Sequence, residues 1–433
     1  MKQKKKFTIL TRLCSVVLCL CLMVTGCLTG AMIFARPTTS TLEKRKLTAF
    51  PKFSVSTFLD GKYFSEVSTW YSDTFPMRDT LVGVAQKMKN HYGIAQKTMV
   101  VGTSKQADQI PTKEKVNKKV KTVDVPKNYS FDQDMQNQIL SNLYVKDGAA
   151  YSVYYFVKDS ADIYIQSLNH FASKVKGTSK VYSLLVPNNS VVLPDKELKK
   201  LGGSDMKQAI DYYYKNYKNV TGIDAYSNIE KNKDKYLYFR TDHHWTALGA
   251  YQAYKALCKE KGWKPEKLSG FEKKRFEPFL GTAYDELHLS EMENHPDYVD
   301  AYIPHATNDM VYWDNDGNKV PYHVITDVSD WSEGSGYYCF IGGDKPLAII
   351  KNPKKKKGKS VLLVKESFGN SFAPFLVDHY KTVYITDFRY TNINLADYCK
   401  EHKIDDVIFE NNISIIGSTE VASKFNQLVH DGE

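Results

Sequence analysis

The stretch Ser360-Val361-Leu362-Leu363-Val364-Lys365-Glu366-Ser367-Phe368-Gly369-Asn370-Ser371-Phe372 runs from an unbroken apolar segment into a helix start. A short apolar run bounded by turn formers reads as a strand covered on both faces, the pattern of a parallel sheet. The same design recurs at Val181–Pro187, at Tyr236–Phe239, and at 381–386 and 405–409. Helical spacing lies between these runs, at Ile163, Tyr164, Leu168, Phe171 and Val175, near 205–217, and at Leu248, Tyr251, Tyr254 and Leu257. Five apolar strands alternating with helices predict a doubly wound, mostly parallel α/β sheet. Ligands of such sheets bind beyond the carboxyl ends of the strands.

Two polar constellations fall at such ends. In Arg240-Thr241-Asp242-His243-His244-Trp245-Thr246, an acid and two imidazoles sit between the run at 236–239 and a helix that Thr246 would cap. An Asp two residues before a His accepts the Nδ1 proton through a tight turn, leaving Nε2 to take a proton from a nucleophile. Ser367 is the candidate nucleophile, with Ser371 in reserve about one helical turn further on. Taken alone, Ser367 reads as a helix cap rather than a nucleophile, and its neighbours, Gly369 and the free N–H groups of a helix start, favour chemistry. Asp242, His243 and His244 also have the chemistry of a metal half-site, but no spacing rule completes it with His288, His295 or His305. A purely structural pairing is the third reading.

The chain has 433 residues and 42% hydrophobic content, enough for one large core or two smaller ones, which excludes a disordered chain. An aromatic share of 13% fits an ectodomain that handles a polar polymer such as a glycan. Of the net charge of +10, Lys2, Lys4, Lys5, Lys6 and Arg12 contribute five before any acid occurs, so the rest is no nucleic-acid footprint. From Leu13 to Phe34 there are 22 uncharged residues, long enough for one bilayer crossing with the basic end in the cytosol. A signal anchor over 13–35 is therefore expected, with the remainder outside the cell membrane. A cleaved signal peptide and a lipoprotein box at Val24-Thr25-Gly26-Cys27 are the rival readings. Cys258, Cys339 and Cys399, the three cysteines beyond that segment, form neither a disulfide framework nor a metal spacing.

The expected order is a basic tail (1–12), the anchor (13–35), a juxtamembrane region (36–128) and a catalytic-type domain (129–433). The juxtamembrane region is helical over about 55–95 and ends in a Lys-rich, solvated linker after Ser104. Asp147-Gly148 predicts a hairpin turn, and Ser160 a helix cap. Residues about 265–350 break the alternation and read as an insertion able to cover the site. Lys354-Lys355-Lys356-Lys357 reads as a solvated turn.

Several blocks resemble the bacterial DHHW proteins, which are similar to the SGNH-hydrolase-like alginate O-acetylation proteins. They are Arg240–Thr246 with Ala247–Tyr251, Tyr338–Asp344, Lys365–Ser367 through Pro374-Phe375-Leu376, Ile385–Tyr390, Leu47–Pro51 and Asp73–Asp79. The resemblance implies a permuted SGNH-hydrolase-like, flavodoxin-like parallel sheet with helices on both faces. It implies Ser367 as nucleophile, His244 as general base, Asp242 as its orienter and Asn411 as an oxyanion-hole donor. Arg389 and Tyr390, with His243 and Trp245 beside the base, become candidate substrate contacts, a structural salt bridge being an equal reading of Arg389. No metal or cofactor is implied. One departure is Glu366, where the nucleophile block commonly carries Asp. The expected activity is transfer of an acetyl group to a cell-envelope polysaccharide, with a membrane-bound acyl-transfer partner. An esterase with the same triad and a non-catalytic glycan-binding or assembly subunit are the alternatives.

Overall fold

The computed structural model describes residues 15–27, 36–40, 45–59, 61–78, 80, 81, 84, 98–102, 107–112, 116–126, 129–314 and 316–430. They fall into two compact units, Met1–Ile94 and Ala95–Glu433. In the first unit, residues 15–27 are helical, and a short antiparallel pair joins Thr39–Ser40 to Arg45–Lys46. Helices Val55–Leu59 and Lys62–Asp73 follow. The Arg36 guanidinium lies 4.2 Å above the Trp70 ring. Among the described residues no helix is long and apolar enough to cross a membrane. The apolar run expected to span one extends on both sides of 15–27 into residues that are not described.

The second unit is built on an eight-stranded sheet. Its strands are β1 (Lys180–Val186), β2 (Val220–Gly222), β3 (Asp309–Trp313), β4 (Lys319–His323), β5 (Leu347–Lys351), β6 (Ser360–Lys365), β7 (Thr382–Asp387) and β8 (Asp406–Asn412). The spatial order is β4-β3-β5-β7-β6-β8-β1-β2. The five strands from β7 to β2 are parallel, and β5, β3 and β4 add antiparallel at one edge. Central β6 is apolar from Val361 to Val364 because helices cover both of its faces. On one face α1 (Lys158–Lys174) meets α3 (Thr419–Val429), with Phe171 against Phe409 at 5.2 Å and Tyr164 against Phe425 at 5.0 Å. On the other, α2 (Ala247–Lys261) anchors Lys261 Nζ 2.6 Å from Asp406 Oδ2. Thr246 caps α2, its hydroxyl accepting from the Gly249 N–H, and Gly262 closes it in the left-handed conformation at φ 66°.

Four expectations need correction. Tyr236–Phe239 is not a sheet strand: the chain doubles back there, with an isolated bridge from Tyr238 to Trp245, and the fifth parallel strand is β2. The apolar run arises because Leu237 and Phe239 are buried as a tight turn, which periodicity does not distinguish from a strand. The segment at 265–350 is no mere cover, since it supplies β3, β4 and β5 besides the hairpin Glu272–Phe279 and Asp297–Ile303. The described part of the Lys-rich stretch is solvated as expected, with Lys118, Lys119 and Lys121 exposed, but it is no free linker: Asn117 N donates to Asp162 Oδ2 and Val123 N to Ser423 Oγ. Ser160 lies inside α1, whose cap position is Val157. The Asp147-Gly148 turn does join two strands, Asn142–Lys146 and Ala149–Ser152, with both turn residues at positive φ.

A methyl group at Gly249 would stand 2.3 Å from the Leu237 carbonyl oxygen. Helix propensity favours Ala over Gly, but here the close approach of turn and helix decides. Gly249→Ala is expected to lower stability by about 1–3 kcal/mol in urea denaturation. An unchanged or raised midpoint would show that the two elements are not in contact.

Candidate functional site

The turn that carries Asp242 and His244 is fixed by a carboxylate from the hairpin. Asp297 accepts from Arg240 N (2.9 Å), Thr241 N (2.7 Å) and Thr241 Oγ1 (2.7 Å) on one oxygen. Its other oxygen accepts from Tyr236 OH (2.5 Å) and Arg240 Nε (3.0 Å). With its backbone so held, the turn places Asp242 Oδ1 2.8 Å from His244 N and 2.7 Å from His244 Nδ1. The other Asp242 oxygen accepts from Thr282 N (2.9 Å) and Thr282 Oγ1 (3.1 Å). Gly281 is obligatory for this approach, since a Cβ there would lie 2.3 Å from Asp242 Oδ2.

His244 Nε2 stands 2.8 Å from Ser367 Oγ. A carboxylate only accepts, so Nδ1 carries the hydrogen toward Asp242 and Nε2 offers a lone pair to the hydroxyl. Burial opposes the charge of Asp242, but the His244 and His243 imidazoles and the hydrogen bonds hold its carboxyl well below the usual range. Ser367 is partly exposed while its neighbours from Val361 to Glu366 and Phe368 to Val377 are buried, so it is the position of this run that meets solvent.

Register explains the ground beneath it. Lys365 pairs with Asp387 on one side and Glu410 on the other. Its ammonium is fully buried, 2.8 Å from Asp344 Oδ1 and 3.0 Å from Asp387 Oδ2. Glu366 bridges two strands: one oxygen accepts from Asn412 N (2.8 Å), the other from Phe368 N (2.8 Å), with Ser367 Oγ at 3.3 Å. Burial pushes its carboxyl up, against the pull of those two N–H groups. Glu410 is pushed well above the usual range by burial and then by neighbouring Glu366, and neither of its oxygens has a hydrogen-bond partner among the described residues.

The remaining candidates are placed as follows. Asn411 lies in β8 with its carboxamide oxygen on Tyr164 OH at 2.8 Å, within the α1 layer. Strand alternation puts Glu410, not Asn411, on the face that Gly369 approaches. Arg389 is committed to carboxylates: Nε and Nη2 reach Asp387 (2.8 and 2.7 Å), Nη2 also reaches Asp344 (2.7 Å) and Nη1 reaches Asp132 (2.7 Å). Its side chain is 4% exposed, so of its two sequence readings the structural salt bridge fits and the substrate contact does not. Tyr390 is exposed, with its hydroxyl on Asp132 at 2.6 Å. Trp245 is wholly buried and donates its indole N–H to Phe368 O at 2.9 Å, which ties the turn to the Ser367 segment. His243 has Nδ1 2.6 Å from Thr282 Oγ1 and its ring 3.9 Å from that of His244. Donor atoms of Asp242, His243 and His244 lie within 4.8 Å of one another. Both Asp242 oxygens and both His244 nitrogens already serve hydrogen bonds, so a cation there would have to displace them.

A protein-family model described as DHHW protein matches residues 43–136 and 133–386. The chain belongs to the DHHW family. A DHHW family protein from Eubacterium siraeum DSM 15702 is similar to it in structure, at 28% identity and TM-score 0.60, over 67% of this chain and 96% of that one. Bacillus cereus PatB1 with sulfonyl adduct is similar in fold, at 18% identity and TM-score 0.55, over 64% and 97%. The O-acetyltransferase domain of Pseudomonas putida AlgJ is a looser likeness, with TM-score 0.36 at 14% identity over 63% and 90%. No curated protein matches the sequence.

Four residues that shape the site of this DHHW protein escape sequence reading: Thr282, Asp297, Tyr337 and Glu410. The first three come from the segment at 265–350, remote from both constellations, and only Tyr337 adjoins a block that carries the family resemblance. Glu410 has an ordinary carboxylate value of 4.5 when free, and folding raises it. Below that value both states are protonated and folding loses nothing. Above it the unfolded chain releases the proton that the folded one retains, so the cost grows as pH rises toward the folded value. Glu410→Gln is therefore expected to be near neutral at about pH 4 and stabilising by about 1–3 kcal/mol at about pH 8. A gain independent of pH in denaturant titrations would contradict this.

Proposed function

We propose that this chain is a membrane-anchored, extracytoplasmic SGNH-like acyltransferase that O-acetylates a cell-envelope polysaccharide through an acyl-enzyme on Ser367. The observation that carries the reading is the continuous line Asp242–His244–Ser367, with contacts of 2.7 and 2.8 Å. The parallel strand order, with Ser367 just beyond the carboxyl end of β6 and the Asp242–His244 turn brought against it, supports a permuted SGNH-type sheet. Anchoring through 13–35 and the outward orientation rest on the uncharged run and its basic flank. A membrane-bound acyl-transfer partner would deliver the donor.

Two displacements make up the reaction. Ser367 Oγ attacks the carbonyl carbon of an acetyl ester while its proton passes to His244 Nε2. The C–O bond to the donor breaks, and the imidazolium returns the proton to the leaving oxygen. A glycan hydroxyl then attacks the acetyl-serine, loses its proton to Nε2, and Ser367 regains a hydrogen as the product ester departs. Water in place of the glycan gives acetate.

With p-nitrophenyl acetate as donor and a soluble envelope glycan as acceptor, the full-length protein in detergent is expected to yield acetylated glycan in excess of free acetate. Ser367→Ala and His244→Ala should each lower acyl turnover by roughly a thousandfold or more. Full turnover in Ser367→Ala would reject the nucleophile. Glycan binding without turnover in the wild type, unaffected by either change, would identify a binding subunit.

A further inference from the structure

One aromatic side chain touches both members of the reacting pair. Tyr337, in the 3₁₀ segment Glu333–Cys339, lays its ring parallel to the His244 imidazole, with centroids 4.1 Å apart and planes 14° off. Its hydroxyl donates to the Ser367 carbonyl oxygen at 3.0 Å and lies 3.2 Å from Ser371 Oγ. The ring is boxed by the edges of Phe239 (6.1 Å, 88°) and Phe340 (5.2 Å, 66°), so it has little room to rotate. Gly336 lets the segment come close, since a Cβ there would press on Phe279 and Val299 at 3.0 Å.

We propose that Tyr337 is a positioning residue for the Ser367–His244 pair, its ring face favouring the imidazolium and its hydroxyl pinning the turn that presents Ser367. The inference rests on the acyl-enzyme reading above and assigns a part of its machinery. In that reading His244 becomes a cation each time Ser367 attacks, inside a site closed to most solvent. The negative face of an aromatic ring attracts such a cation, and a ring stacked flat on the imidazole offers that face directly. Asp242 answers the same charge from Nδ1, and the His243 ring lies 3.9 Å from that of His244. Glu366 and Glu410 lie on the Ser367 side, and burial pushes both carboxyls upward, Glu410 the further. With Glu410 tending to hold its proton, the ring supplements Asp242. The hydroxyl acts separately. Its hydrogen bond fixes the carbonyl of the residue whose Oγ must stay within 2.8 Å of Nε2.

The two actions separate by substitution. Tyr337→Phe keeps the ring face and loses the pin; Tyr337→Leu loses both. The probe is phenylmethylsulfonyl fluoride, with the rate of Ser367 labelling read by mass spectrometry on the full-length protein across pH. The labelling rate is expected to fall roughly tenfold in Tyr337→Leu, the size of an effect from a desolvated ring–cation contact. The ascending limb of its pH–rate curve should move to lower pH. Tyr337→Phe should label at an intermediate rate with the limb unmoved. A thermal midpoint near wild type in Tyr337→Phe keeps that variant informative if the Leu variant unfolds. Equal labelling rates in all three proteins, or equal slowing in both variants with the limb unmoved, would overturn the role of Tyr337 alone. No labelling of the wild type would overturn the acyl-enzyme reading and this inference with it.

Discussion

The 2.8 Å contact between His244 Nε2 and Ser367 Oγ joins residues 123 apart in the chain, and the site is organised to hold that distance. Neither partner sits on a long helix or within a strand. Both ride on turns, the parts of a fold with the least intrinsic rigidity, so rigidity has to be supplied from outside. Asp297 supplies it to the imidazole turn by taking two backbone N–H groups and three side-chain donors onto one carboxylate. Glu366 supplies it to the serine turn by tying Phe368 N to Asn412 N. Trp245 and Tyr337 then cross-link the two turns, one through Phe368 O and the other over the imidazole face to Ser367 O.

Charges buried at the strand ends are the other side of this design. Lys365 is wholly enclosed between Asp344 and Asp387, and Arg389 engages the same two acids. Dehydrating such ions is costly unless each meets a partner at short range. The network meets that condition, which is why Arg389 has no capacity left for an external anion. Burial opposes the charge of Asp344, yet Arg389 and Lys365 draw its carboxyl well below the ordinary range. Glu410 is the exception among these groups. It faces the same region with no hydrogen bond among the described residues, and Glu366 beside it raises the cost of a second negative charge. The strand ends therefore combine one saturated ion cluster with one carboxyl that favours its proton.

Legibility in the sequence followed the range of the interactions. β1, β6, β7 and β8 show as apolar runs because helices bury both of their faces, and α2 shows in its spacing and its Thr246 cap. β2 escaped because only Val220, Thr221 and Gly222 enter the sheet, each half-buried. Tyr236–Phe239 misled because a buried turn and a buried strand share composition. The Asp242–His244 pair was readable since its geometry is local, a turn of two residues. Its meeting with Ser367 was an inference from strand ends and from family resemblance. Thr282, Asp297 and Tyr337 carry no local pattern, because each acts across a fold that only tertiary packing creates. Asn411 points into the α1 layer and Arg389 takes the salt-bridge reading over the substrate one, because side-chain direction and ion pairing are beyond what sequence order specifies.

The central claim is that the hydroxyl of Ser367, made nucleophilic by His244, takes up an acyl group. The most direct measurement is to mix the full-length protein with an acetyl ester, quench in acid within a turnover, and map acetylated peptides by mass spectrometry. The account predicts acetyl mass on the segment 360–372, located to Ser367, and its disappearance in His244→Ala. Acetyl groups on other residues only, or undiminished acetylation of Ser367 in His244→Ala, would contradict it.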